Sequence, residues 1–217
     1  MHYPETRRVA QVDEQFGVKV ADPYRWLEND VRTDPEVAKW VADQNVVTNA
    51  YLATLPGRDI FAARLKVLLD YERFGVPVKK GGRYFYSRNA GLQNQAVLYV
   101  RDSVDGQGRV LIDPNGWSKD GATALAEWSA SEDGKKLAYA VQDGGTDWRT
   151  VKVLDVATGA VSDTVEWVKF SGLSWAKDGS GFFYSRFAAP ADGSKFQALN
   201  ENQQVYFHKL GTQQAAD

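Results

Sequence analysis

The chain has 217 residues, a formal net charge of −2 from 26 basic and 28 acidic side chains, 43% hydrophobic residues and no cysteine. Interspersed charge of both signs leaves no basic stripe for nucleic acid, and the absence of thiols excludes disulfides, thiolate nucleophiles and Cys-ligated zinc. No apolar run approaches the ~20 residues that span a bilayer, so a soluble protein of one large or two small domains is expected, with cytoplasm and periplasm both open.

The first eight residues lack the apolar core of a signal peptide. Residues 3–30 carry few periodic apolar positions and end in Asp22-Pro-Tyr-Arg-Trp-Leu-Glu28, which reads as an ordered arm anchored by its aromatics. Thr33-Asp34-Pro35-Glu36 is a helix start, with Thr or Asp as N-cap, Pro in the first turn and Glu three residues after Thr. The helix is expected to run to about Leu55, with one apolar stripe from Val37 to Leu55, stopped by Pro56-Gly57. A second helix is expected from Asp59 to about Tyr71, burying Phe61, Leu65, Leu68 and Leu69. The resulting helical hairpin needs a partner to cover it.

From Phe74 onward, strand signals replace helical periodicity. Val76–Lys80, Arg83–Arg88, Ala96–Arg101 and Arg109–Ile112 read as one four-stranded unit, and Leu125–Ala130, Lys136–Gln142, Arg149–Asp155 and Ala160–Val165 as a second. Within the second and third units one pattern is written twice: Trp128 to Tyr139 and Trp175 to Tyr184 each place an Asp-Gly turn between β-rich runs. The two turns, Asp133-Gly134 and Asp178-Gly179, lie 45 residues apart. Asp-Gly between such runs signals a hairpin with a primed turn, and a repeat of about 40–50 residues with four strands per unit signals a β-propeller blade. A third unit would comprise Val168–Ala176, Phe182–Phe187 and, beyond a polar loop from Ala188 to about Asn202, Gln203–Leu210, without a fourth strand. Closed propellers have about four to eight blades, so the expected fold is mainly β with an amino-terminal helical hairpin and a partial β-propeller of about three blades.

Catalytic signatures are absent. Gly172-Leu-Ser174-Trp-Ala and Gly116-Trp-Ser118-Lys-Asp both lack the second glycine of a nucleophile elbow. Neither His2 nor His208 sits in a ligand-spaced motif, and strand-face packing or a surface role is expected of His208. Asp102 to Gly106 lacks the ligand set of a calcium loop, so no catalytic residue, metal or cofactor is expected. Two loop stretches bear more weight. Asp147 and Trp148 put a carboxylate and an indole between two strands, where a turn cap with a blade-filling ring and a role at a domain interface are both open. Phe170, in Val168-Lys-Phe-Ser171, reads from its pattern alone as a core residue.

Tyr3-Pro4, Asp22-Pro-Tyr-Arg-Trp-Leu-Glu28, Gly91-Leu-Gln-Asn-Gln95, Asp113-Pro-Asn115, Gly145-Thr-Asp-Trp148, Val168-Lys-Phe-Ser171 and His208-Lys-Leu-Gly-Thr212 occur in this order. With them the whole chain resembles the amino-terminal part of the prolyl oligopeptidase (prolyl endopeptidase) family. The resemblance implies a serine peptidase that cleaves short proline-containing peptides after proline. It further implies an α/β-hydrolase domain carrying the triad and a propeller of seven blades that gates it. Residues 1–73 would be an arm and helix pair belonging to the peptidase domain, and 74–217 the first blades, the third incomplete. The remaining blades and the hydrolase domain would be the partners, and this stretch alone would be inactive. Residue by residue, the match places Phe170 in the substrate cavity and Asp147, with Trp148, at the domain interface, Asp147 beside a substrate-binding arginine of the other part. A non-catalytic propeller module binding peptide or protein is the alternative, and it leaves the arm and helix pair unexplained.

Overall fold

A computed structural model describes residues 2–217 apart from 145, 192–194 and 197. The chain divides into two compact units, Met1–Leu65 with Ser194–Gln197, and Lys66–Gly193 with Ala198–Asp217.

In the first unit the arm is ordered by polar anchors. The indole N–H of Trp26 donates to the Arg7 carbonyl at 2.9 Å, the Arg7 guanidinium grips Glu36 at 2.5 and 2.8 Å, and the Trp40 indole donates to Thr6 Oγ1 at 2.9 Å. Within the arm lies a hairpin of β1 (Val12–Gln15) and β2 (Val18–Ala21) that the sequence pattern did not suggest. Its two-residue turn puts both Phe16 (φ 53°) and Gly17 (φ 79°) in the left-handed region, a primed turn whose only sequence signal was the glycine. Helix α1 (Pro35–Ala53) begins as expected: Asp34 caps it by accepting from the N–H groups of Glu36 and Val37. Helix α2 spans Arg58–Leu69, but the burial expected of it is not found. Phe61 is 70% exposed, and Leu65, Leu68 and Leu69 are each about half exposed, because nothing among the described residues covers that stripe.

The second unit is the partial propeller. Its first blade pairs β5 (Arg83–Asn89) with β6 (Val97–Arg101) and β6 with β7 (Arg109–Ile112). Along the free edge of β5 lie two short strands in tandem, β3 (Arg73–Phe74) and β4 (Val78–Lys80). Blade two is the antiparallel meander β8 (Ala124–Ala130), β9 (Lys136–Gln142), β10 (Arg149–Asp155) and β11 (Val161–Val168). Blade three contributes β12 (Ser174–Trp175), β13 (Gly181–Arg186) and β14 (Gln204–Lys209). A single register pair, Val168 with Arg186, links β11 to β13.

The expected strand from Val168 to Ala176 is broken: β11 ends at Val168, β12 is two residues long, and 169–173 form a connection. A positive φ at Trp167 (59°) sits at the irregularity of β11 between the pairs Val151–Val165 and Arg149–Val168, and one at Phe170 (53°) turns the chain once the strand has ended. The Asp-Gly turns also differ from the primed form. In both, only the glycine has positive φ (66° and 72°), while the aspartate side chain accepts the N–H two residues on, at Lys135 and Ser180. The N–H groups of Gly134 and Gly179 close the turns on the carbonyls of Ser131 and Ala176. The two copies are thus the same capped four-residue turn.

Apolar side chains gather between blades. Phe85, Leu98 and Val100 of blade one meet Leu137, Tyr139 and Leu154 of blade two. Val151, Val153 and Val165 of blade two meet Phe182 and Tyr184 of blade three. Alternation along each strand buries one face on each neighbour, which is why a blade is not stable alone. Polar contacts stitch the same seams. Arg83 donates to the Gly134 carbonyl at 2.8 Å and Lys80 pairs with Glu132 at 2.5 Å between blades one and two. Between blades two and three the Trp175 indole donates to the Ser129 carbonyl at 2.8 Å.

Candidate functional site: an aromatic cluster at one end of the blades

The residues singled out by the sequence lie in two loops, the β9–β10 connection and the β11–β12 connection. In the first, Gln142 Nε2 holds the Thr146 carbonyl at 2.7 Å, and the Thr146 hydroxyl accepts the Trp148 N–H at 3.1 Å. That short turn sends consecutive side chains opposite ways: Asp147 is exposed and Trp148 is buried. Gly145, quoted with them in the sequence, lies outside the described residues, as does part of the expected polar loop after Ala188.

Trp148 is the hub. Its indole meets Trp167 edge-on at 5.5 Å between centroids and Phe187 at 6.2 Å, both near perpendicular. Phe187 in turn meets Phe170 at 6.4 Å and 89°. Edge-to-face contacts of this kind fix ring orientation beyond what burial alone does. Phe170 is therefore seated on a rigid aromatic base, yet is itself 56% exposed. It is not the core residue its pattern suggests, because the backbone leaves the strand before reaching it.

The backbone beneath Phe170 is pinned on both sides. The Gln203 side-chain amide donates to the carbonyls of Lys169 (2.9 Å) and Phe170 (3.3 Å). The Ser171 hydroxyl accepts the Ser185 N–H at 2.7 Å and donates to the Gly172 carbonyl at 2.8 Å. Two left-handed non-glycine residues within four positions cost of order 1–2 kcal/mol each, and such strain persists where surrounding bonds enforce it. Lys169, Trp167, Phe187 and Gln203 were not picked out from the sequence. Lys and Gln carry no pattern there, and the aromatics read as ordinary strand residues.

His208 serves elsewhere. It is fully buried, with Nδ1 at 2.9 Å from Asp217 and Nε2 at 3.2 Å from Asp163. Burial pushes the Asp163 carboxyl up. Hydrogen bonds from Ser162, the Gly211 N–H and His208 outweigh that and hold it below the usual carboxylate range. Burial, with the hydrogen bond to Asp217, pushes the Tyr184 hydroxyl well above the ordinary phenol value. Both ring nitrogens of His208 are committed to carboxylates, so the imidazole is a strut tying β14 to β11; of the two expected roles its burial leaves packing and excludes a surface role. Among the described residues no cluster of His, Asp or Glu is arranged to hold a metal ion, and no helix is long and apolar enough to cross a membrane. What the two loops build is a cluster of rings with Phe170 at its exposed edge, and the exposed carboxylate of Asp147 is next in the chain to Trp148 at its centre.

Residues 4–217 match the family described as prolyl oligopeptidase, N-terminal beta-propeller domain. The chain is 42% identical over its whole length to a prolyl endopeptidase of Elizabethkingia meningoseptica, and covers 30% of that protein. It is 32% identical to prolyl oligopeptidase A of Amanita bisporigera, covering 99% of this chain and 32% of the relative. Among solved structures, one from a mechanistic study of two prolyl endopeptidases matches with a TM-score of 0.83 at 38% identity over 99% of the chain, and 32% of that structure. Prolyl oligopeptidase B of Galerina marginata, bound to a 35-residue hydrolysis and macrocyclization substrate, matches with a TM-score of 0.77 at 32% identity, over 98% of this chain and 32% of that structure. This chain thus spans about a third of the length of the relatives it matches. It belongs to the amino-terminal β-propeller family of the prolyl oligopeptidases.

Proposed function

We propose that the chain is the amino-terminal part of a serine endopeptidase that cleaves short peptides after proline. In this reading it supplies the gating propeller and one wall of the substrate cavity, while the nucleophile, its histidine and its aspartate lie in the part of the protein beyond this stretch. The observation that carries the reading is Phe170: a large ring left half exposed at the mouth of the blades, on a strained, doubly pinned turn backed by Phe187 and Trp148. An apolar ring held in one orientation by bonds on both sides of its backbone suits a peptide's proline and neighbouring side chains.

Asp147 and Trp148 fall to the domain interface in the same reading. Exposed Asp147 meets a cationic partner of the hydrolase domain, with Trp148 bracing the loop from behind. Residues 1–73 belong with that domain, whose surface covers the apolar stripe of α2. The stretch by itself binds no substrate productively and is inactive.

The test is hydrolysis by the full-length protein of matched peptides with and without an internal proline, short and long. Cleavage on the carboxyl side of proline, confined to the short peptides, is expected. Cleavage independent of proline, or of long and short peptides alike, would sink the assignment.

A further inference from the structure

Lys169 is the least explained residue of the cluster. Its side chain is only 9% exposed, and no carboxylate among the described residues pairs with its ammonium. Instead Nζ lies 4.8 Å from the centroid of the Trp148 ring and 5.2 Å from that of Phe170. A mostly buried side chain leaves its cation little water and no counter-ion, and two ring faces are the compensation this site offers. Contact with Trp148, buried and braced edge-on by Trp167 and Phe187, fixes the ammonium, and contact with Phe170 passes that fixation on to the exposed ring. Phe187 holds Phe170 from another side by an edge-to-face contact. The Lys169 carbonyl is tied down by Gln203, so the side chain starts from a fixed backbone.

We propose that Lys169 is a positioning residue for substrate: its ammonium, held on Trp148, clamps the Phe170 ring in the outward pose in which it meets the peptide. The inference rests on the reading of Phe170 as part of the substrate cavity. It adds what holds the ring there and which kinetic parameter depends on it. A ring already ordered loses little freedom when ligand arrives, so the clamp acts on ground-state and transition-state binding alike. A lysine is suited to this place because its aliphatic stem packs while the cation meets the rings.

The experiment compares three variants of the full-length protein on a short proline peptide with a chromogenic leaving group. Lys169→Met keeps the length of the stem and removes the charge. It is expected to raise KM roughly three- to ten-fold with kcat within about two-fold of the parent, the signature of lost uniform binding. Lys169→Arg, whose guanidinium can lie on the same two rings, is expected to recover most of that loss, which a purely structural role would not predict. Phe170→Ala is expected to raise KM at least as much, and the Lys169→Met, Phe170→Ala double variant to add little to Phe170→Ala alone.

If Phe170→Ala raises KM while Lys169→Met does not, or if Arg fails to restore a loss that Met causes, the clamp is overturned and the role of Phe170 stands. If Phe170→Ala leaves KM unchanged, the reading of the cavity fails instead. The clamp is then decided by a crystal structure of the Lys169→Met protein. A Phe170 ring displaced or disordered relative to the parent supports the clamp, and an unmoved ring overturns it.

Discussion

Glu127, on the edge strand β8 of blade two, accepts the backbone N–H of Leu173 at 3.1 Å, at the entry to blade three. Its other oxygen faces Arg149 Nη1 at 3.5 Å. One carboxylate thus joins two blades through a nearly buried amide that has left its own ladder. Removing the acceptor leaves that N–H unsatisfied. Glu127→Ala is expected to lower the stability of the full-length protein by about 1–3 kcal/mol, and Glu127→Gln, which keeps an acceptor oxygen, by less. Urea unfolding followed by tryptophan fluorescence measures both, and equal losses would remove the bond from the account.

The two Asp-Gly turns share a conformation but not an environment. A Cβ at Gly134 would lie 2.4 Å from the Lys80 carbonyl of blade one, whereas one at Gly179 would meet nothing within 4 Å. Both glycines have positive φ, so alanine at either should cost roughly 1–2 kcal/mol for the backbone alone. Gly134→Ala adds a backbone collision at the seam of blades one and two and is expected to be the more damaging by at least about 1 kcal/mol. Thermal melts of the two variants side by side decide this. A larger loss at Gly179 would contradict the seam geometry.

Acid should loosen the join between β11 and β14. Asp163 has its carboxyl held below the ordinary value in the fold, so it contributes stability above the unfolded carboxylate range of ~4 and loses it as pH falls through the folded value. Asp163→Asn removes that titration. The variant is expected to be less stable than the parent at neutral pH, with the gap narrowing as pH drops below about 4. A gap that stays constant from pH 7 to 3 would exclude Asp163 as a source of acid sensitivity.

The α2 stripe tests whether residues 1–73 pack on a further domain. Leu68 is about half exposed here, and truncating a half-exposed leucine removes little buried area. Covered as proposed, it would behave as a core residue, and Leu68→Ala would cost the full-length protein about 2–4 kcal/mol. A loss below about 1 kcal/mol, measured by chemical unfolding, would mean the stripe stays open.

Asp147→Asn keeps size and removes charge. If exposed Asp147 meets a cation of the hydrolase domain, the variant should lower kcat/KM several-fold, with the difference shrinking as salt screens the parent. Identical salt profiles for parent and variant would leave Asp147 as a turn residue only.

Local chemistry set much of this protein. Thr33-Asp34-Pro35-Glu36 specified the start of α1, the Asp-Gly pairs specified where strands reverse, and alternating apolar residues specified the strands of the blades. These signals are short-range, so they survive in one dimension. The β1–β2 hairpin has little sequence signal because its turn is Phe16-Gly17 rather than Asn-Gly or Asp-Gly, and because β1, Val12-Asp-Glu-Gln15, offers no apolar alternation to match that of Val18-Lys-Val20. The loops of Asp147 and Phe170 are legible as loops in the sequence, but the cavity role of Phe170 comes only through resemblance, and the surroundings of both residues carry no sequence signal. In Trp167-Val-Lys-Phe-Ser171 a period of two predicts that Phe170 sits on the same face as buried Val168, with Lys169 outward. The structure reverses this: Lys169 is buried and Phe170 is exposed. Two left-handed residues reset the facing of the chain, and they are sustained by Gln203 and Ser185, residues distant in sequence whose bonds exist only once blade three is in place.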